Sequence, residues 1–153
     1  ALSYRALVQP DLRPPQTELV RYKNSPLTES AKEAHLIHLL EFMEQERPYL
    51  RPDLTLDQFA KEVGLNRFYV SQVINERLGK NFSEFINTHR IEEAKRLLTD
   101  PRKAHYSILG VAFEAGFNSK TAFNTAFKKL TGQRPTDYRN FPPEAVPHDQ
   151  SER

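Results

Sequence analysis

An all-α protein is predicted, built as two helix-turn-helix subdomains joined by a long linker helix. Three observations predict it. Apolar residues recur at spacings of three and four, the period of one helix face, in segment after segment. A short unit of two helices with a glycine turn occurs twice along the 153 residues. One longer helical stretch of about 17 residues, Phe82 to Leu98, lies between the two copies.

Residues 1–29 hold Pro10, Pro14, Pro15 and Pro26 with no sustained periodicity and read as a linker or a loosely docked arm. A helix is expected from about Ser30 to Arg47, with Leu36, Leu39, Leu40 and Met43 as its apolar stripe and Pro48 closing it. Thr55 is the expected N-cap of the first unit, with Gln58 three residues on as its capping-box partner. Leu56, Phe59, Ala60 and Val63 form the buried face, and Gly64-Leu65-Asn66 makes the turn. The next helix runs from about Arg67 to Leu78, buries Val70, Val73, Ile74 and Leu78, and ends at Gly79. The linker helix buries Phe82, Phe85, Ile86, His89, Ala94, Leu97 and Leu98, and Pro101 terminates it. Lys103 to Tyr106 is a loop. In the second unit Ser107 caps, Ile108, Ala112 and Ala115 are buried, and Gly116-Phe117-Asn118 turns. The helix after that turn carries Phe123, Ala126, Phe127 and Leu130 on one stripe and stops at Gly132. Thr136 is the expected cap of a further start. The domain is placed at residues 30–140, with helix-turn-helices at about 55–79 and 107–132, the linker helix at about 82–98, and a flexible tail at 141–153.

The two units are copies. Thr55, Ala60, Gly64 and Asn66 match Ser107, Ala112, Gly116 and Asn118 at an offset of 52. Val70, Ile74 and Gly79 match Phe123, Phe127 and Gly132 at an offset of 53, so the second turn holds one extra residue. Two copies are too few for a solenoid, whose repeats bury their faces on neighbours.

Charge is distributed unevenly. The net of +2 conceals 7 basic and 8 acidic side chains in residues 1–54, 14 and 9 in 55–140, and 1 and 3 in 141–153. Within the second unit, residues 116–140 hold five basic residues against one acidic. A local basic excess points to a polyanion partner. The chain has no Cys, so no disulfide forms, and a reducing compartment is allowed. No apolar run is long enough to span a membrane, and no signal-peptide pattern occurs. The single Met is Met43 and the chain opens on Ala1, which reads as a fragment or a processed product.

A helix-turn-helix places the start of its second helix in a major groove, and successive major grooves on one face of B-DNA lie ~34 Å apart. A 17-residue helix is roughly 25 Å long at ~1.5 Å per residue. With the flanking units added, it holds two recognition helices one DNA turn apart. A rigid linker sets that spacing before binding, which lowers the entropic cost.

Residues from about Leu54 to Arg139 resemble the DNA-binding domain of the AraC/XylS family of bacterial transcription regulators. Three pieces carry the resemblance: the first unit with Tyr69-Val70-Ser71; the linker Arg90-Ile91-Glu92-Glu93-Ala94-Lys95-Arg96-Leu97-Leu98; and the second unit. In that second unit Ile108, Ala112, Gly116-Phe117, Ser119, Phe123, Phe127-Lys128, Gly132, Pro135 and Tyr138-Arg139 follow the family's order and spacing. The helix followed by Pro48-Tyr49-Leu50 is similar to a subgroup whose regulator domain follows membrane-spanning helices. The resemblance implies transcription regulation, usually activation through RNA polymerase, with dimerisation through regions outside this chain. It implies a cytoplasmic protein, or the cytoplasmic domain of a membrane-anchored regulator. No ligand pocket is read in residues 1–53, and no cofactor is expected.

With Val70, Val73 and Ile74 buried, Arg67, Phe68, Ser71, Gln72 and Asn75 face outward. The resemblance assigns base reading to Phe68, Ser71 and Gln72, and, at the offset of 53, to Thr121, Asn124 and Thr125. Gln72 and Asn124 suit adenine, Ser71 serves either base, and Phe68, Thr121 and Thr125 suit a thymine methyl. Phosphate contacts are assigned to Arg67, Asn75, Asn81, Lys120, Lys128 and Thr136, with helix-start amides near Asn81 and Thr136 contributing. Arg often occupies the family positions held here by Gln72 and Thr125, and Arg is the usual guanine reader. Direct readout is therefore expected to lean toward A·T pairs. Phe117, Ala112, Pro135 and Tyr138 read as packing residues.

Other chemistry finds little to hang on. His35 and His38 share a helix face at i, i+3, but no Cys accompanies them and no metal site is expected. His89 sits on the apolar stripe and reads as structural. Glu92 and Glu93 are adjacent, point to different faces and cannot act as a catalytic pair. There is no phosphate-binding glycine loop, nucleophile elbow or HExxH, so an enzyme is not expected. The alternative reading is a basic helical module that meets an acidic protein without reading DNA sequence.

Overall fold

Side-chain caps mark where most of the helices begin. Thr28, Thr55, Asn66, Asn81, Ser107 and Ser119 each accept a hydrogen bond from a backbone N–H of the first helical turn. Each such cap is worth about 1 kcal/mol. The Thr55–Gln58 capping box is complete, and a second box pairs Asn81 with Glu84.

The computed structural model describes residues 26–143. They form seven α-helices: α1 (Glu29–Glu46), α2 (Leu56–Val63), α3 (Arg67–Leu78), α4 (Phe82–Thr99), α5 (Ile108–Glu114), α6 (Lys120–Thr131) and α7 (Pro135–Asn140). Two 3-10 turns, Pro48–Leu50 and Pro101–Lys103, follow α1 and α4. No strand occurs among the described residues. The all-α class and the two helix-turn-helices joined by a long helix are as expected. The proline-rich arm before residue 26 and the tail beyond residue 143 lie outside the described residues.

Two separate cores form. The first gathers Leu39 and Met43 of α1, Phe59 and Val63 of α2, Val70, Val73 and Ile74 of α3, and Phe85 and Ile86 of α4. The second gathers Ile91, Leu97 and Leu98 of α4, Val111 and Ala112 of α5, and Phe123 and Phe127 of α6. Among the described residues α4 alone lends buried side chains to both. Phe59, Phe85, Phe123 and Phe127 are fully buried, each worth about 1.5–3 kcal/mol of apolar transfer.

Some expectations need correction. Leu40 is 39% exposed and Leu130 is 42% exposed, although periodicity puts both on buried stripes. On α1 the core-facing edge runs through Leu36, Leu39, Phe42 and Met43, which turns Leu40 away. Leu130 does not belong to the second core, against which Tyr138 packs with its ring 5.4 Å from that of Phe127. Thr136 does not cap α7. Arg134 takes that position without a side-chain bond, because Pro135 has a fixed φ, lacks an N–H and occupies the first helical place. Ile91 and Val111 are core residues that the expected stripes omit.

Candidate nucleic-acid interface

On α3 the helical period separates two faces. Val70, Val73 and Ile74 are turned fully inward. Arg67, Phe68, Ser71 and Asn75 are exposed on the other side, and Gln72 is half-buried between them. Phe68 is 44% exposed and does not belong to the first core. On α6, Phe123, Ala126 and Phe127 point inward, while Lys120, Thr121, Thr125 and Lys128 are exposed and Asn124 is half-buried. Both helices have 12 residues and are related by the offset of 53. That offset pairs Arg67 with Lys120, Phe68 with Thr121, Ser71 with Asn124, Gln72 with Thr125, and Asn75 with Lys128. The same five helix positions are therefore presented twice, each time backed by a core.

The turns explain the change of offset. Gly64 ends α2 in the left-handed region at φ 72, and Gly116 turns the second unit at φ 94. Asn66 caps α3, but Ser119 caps α6. The residue matching Asn66 is thus Ser119 rather than Asn118, because the extra residue lies in the turn before the cap.

Several candidate contacts are already partnered. The Arg67 guanidinium lies 2.9 Å from Asp57 and 5.7 Å from the Phe68 ring centroid. Gln72 donates from Nε2 to Glu76 Oε1 at 3.0 Å. Glu76 is in turn 2.6 Å from Lys32 on α1, and Lys32 is 2.9 Å from Glu29, which also meets Arg77 at 2.6 Å. Hydrogen bonds from Lys32, then from Gln72, hold the Glu76 carboxyl below its ordinary pKa. This network ties the start of α1 to the first recognition helix. Its local signals are the i, i+4 spacing of Gln72 and Glu76 and the i, i+3 spacing of Glu29 and Lys32; the Lys32–Glu76 and Glu29–Arg77 pairs that join the two helices lie too far apart in sequence to be read.

Asn81 is exposed, but its side chain caps Glu84 N–H and its own N–H donates to the Glu84 carboxylate at 3.0 Å. An anion at this helix start is left with the amides of the first two helical residues, Phe82 and Ser83. Lys129 reaches Glu84 at 3.4 Å, whereas Lys120 and Lys128 join no ion pair among the described residues. Thr136 is exposed in the first turn of α7.

The linker helix is buttressed by charge. Glu93 is 9% exposed and meets Arg47 at 2.7 Å and Arg96 at 2.6 Å. Burial pushes its carboxyl up, but the bonds and charges of Arg96 and Arg47 outweigh that and hold it below the ordinary range. Glu92, one residue earlier, pairs with Lys95 at the surface. His89 packs on Phe85 and Tyr49, and burial, helped by Lys80, pushes its pKa down. His35 stacks near Tyr69, while His38 Nε2 lies 2.9 Å from the Val63 carbonyl, so the two rings serve different contacts. No cluster of three or more potential metal ligands occurs among the described residues. None of their helices is long and apolar enough to cross a membrane.

A family model described as a helix-turn-helix domain matches residues 59–140. An uncharacterised HTH-type transcriptional regulator of Staphylococcus aureus (strain MSSA476) is 35% identical over 103 residues, covering 67% of this chain and 13% of that protein. The melibiose operon regulatory protein of Escherichia coli (strain K12) is 34% identical over 88 residues, covering 58% of this chain and 28% of its own length. Among solved structures, the C-terminal domain of AraT, a response regulator from Geobacillus stearothermophilus, is similar with a TM-score of 0.56 and 26% identity. That likeness covers 82% of this chain and 96% of that one. The chain thus spans between 13% and 28% of the length of these two curated relatives. With two helix-turn-helices on one linker helix and a family match over more than half its length, the chain belongs to the AraC/XylS family of helix-turn-helix transcription regulators.

Proposed function

We propose that this chain binds specific double-stranded DNA sequences and regulates transcription, seating α3 and α6 in two successive major grooves. The observation that carries this reading is the duplicated face: five outward positions on α3 recur on α6 at one offset, over two separate cores. Phe68, Ser71 and Gln72 read one half-site, and Thr121, Asn124 and Thr125 the other. Arg67, Asn75, Asn81, Lys120, Lys128 and Thr136 hold phosphates, with Lys120 and Lys128 the cations best available for it. Neither set of base readers contains an arginine, which supports half-sites rich in A·T pairs.

The chain acts by binding rather than by catalysis, in the cytoplasm, alone or as the cytoplasmic part of an anchored regulator. RNA polymerase is the partner proposed for activation, and dimerisation is assigned to regions outside this chain. Selection from a random duplex library at physiological salt tests the reading. Two short motifs one helical turn apart are expected. The logarithm of affinity is expected to fall with that of salt by about 0.9 per phosphate neutralised. Salt-sensitive binding without any selected motif overturns the reading in favour of a basic module for acidic proteins.

A further inference from the structure

Beside α4 the two units meet at a second place. The strap of residues 47–51 leads from α1 to α2 and contains the turn Pro48–Leu50. Arg47 enters it in the left-handed region at φ 50, and Tyr49 is buried with its ring stacked on His89 of α4 at 5.6 Å. The next residue on α4, Arg90, is half-buried and donates twice to the strap. Its Nε reaches the Tyr49 carbonyl at 2.7 Å, and its Nη2 reaches the Arg51 carbonyl at 2.8 Å. The same guanidinium lies 5.7 Å from the ring centroid of Phe117, in the turn of the second unit.

Gly116, in that turn, presses on the same strap. A Cβ there would stand 2.3 Å from the Tyr49 carbonyl oxygen, 3.0 Å from Leu50 Cα and 3.1 Å from Arg90 Nε. Strap and turn belong to different units. Next to them a cleft of about 390 Å³ opens between the units, lined by Leu54 and Thr55 on one side and Asn118 and Ala122 on the other. The joint is therefore a direct bridge at a place where the units otherwise stand apart. A long helix fixes the spacing of what it joins but curves gently over its length, so a side contact between the units holds the angle between α3 and α6 more closely than α4 does alone. Only a planar guanidinium supplies two donors to two carbonyls and a face for an aromatic ring; a lysine offers a single point charge.

We infer that Arg90, clamped between the strap carbonyls and the Gly116-Phe117 turn, is a positioning residue that fixes the angle between the two recognition helices and thereby the half-site spacing accepted. The inference rests on the two-groove reading proposed above, and two measurements separate them. The first uses the 153-residue chain without DNA. Residual dipolar couplings from the two units fit one alignment tensor in the unsubstituted chain and require two in Arg90→Lys and Arg90→Gln.

The second uses duplexes in which the selected half-sites are moved apart by one base pair, which shifts the second by ~3.4 Å and about 34–36°. The unsubstituted chain is expected to lose about tenfold in affinity, on the scale of a mismatched base pair. Both Arg90 variants are expected to lose about threefold or less, while binding a single half-site within about twofold of the unsubstituted chain. Retention of one tensor by both variants overturns the joint, whatever the DNA result. Equal losses at every spacing and on the single half-site overturn the positioning role. Absence of any spacing preference in the unsubstituted chain overturns the two-groove reading itself.

Discussion

Replacing Gly116 by Ala is expected to destabilise the domain far more than replacing Gly79 by Ala, though both glycines have positive φ (94° and 64°). At Gly79 a Cβ meets nothing within 4 Å. The cost there is backbone strain alone, roughly 1–2 kcal/mol, offset by about 0.4–1 kcal/mol because alanine narrows the unfolded ensemble. A net loss of about 1 kcal/mol follows. At Gly116 the same strain applies, and the Cβ falls 2.3 Å from the Tyr49 carbonyl oxygen. That oxygen is backbone in a strap held by the Arg90 hydrogen bonds, so it cannot swing aside as a side chain does. Making room weakens a charge-assisted bond worth about 1.5–3 kcal/mol when intact. The sum is about 3–4 kcal/mol for Gly116→Ala. Urea denaturation and thermal denaturation, each followed by far-UV circular dichroism, measure both variants. At about 4 °C per kcal/mol, the melting temperature should fall by about 12–16 °C for Gly116→Ala and about 4 °C for Gly79→Ala. Losses that agree within about 0.5 kcal/mol, the spread of neutral surface changes, mean that the strap does not resist a Cβ at residue 116.

Three further outcomes are expected. Lys120→Ala and Lys128→Ala should each weaken binding to all DNA sequences alike and reduce the salt slope by about 0.9, measured by fluorescence anisotropy across salt concentrations. Glu93→Gln should cost about 1–3 kcal/mol, because two arginines lose the charge they close on while staying partly solvated. The depressed Glu93 carboxyl adds stability that is complete above its unfolded value near 4.5 and lost as pH falls through its lower folded value. The stability of Glu93→Gln should accordingly vary less below pH 4.5 than that of the unsubstituted chain, by denaturant titration at several pH values.

Much of the architecture was legible because its signals are local. Caps such as Thr55 and Ser107 act within three residues, and glycines at 79 and 132 end helices by their own φ. The offset of 53 aligns α3 with α6, so an inward stripe on one predicts the inward stripe on the other. The two misplaced stripe residues share one physical origin. Periodicity tells which residues are apolar, but a neighbouring element decides which of them it covers. Leu40 and Leu130 sit at the edges of their stripes, and Phe42 and Tyr138 pack against the two cores while they do not. Thr136 was displaced as a cap by the backbone chemistry of the proline beside it. The joint was illegible for a stronger reason. Arg90 meets the Tyr49 carbonyl across 41 positions and Gly116 meets it across 67, and a carbonyl acceptor leaves no trace in residue type. Gly116 looked like a turn glycine and is also a point of close backbone approach.

The most direct test of the two-groove account repeats the duplex selection with Gln72→Ala and Asn124→Ala. The account predicts that Gln72→Ala relaxes only the half-site read by α3 and Asn124→Ala only the half-site read by α6, one helical turn away. Relaxation of both half-sites by either substitution, or of neither by both, contradicts it.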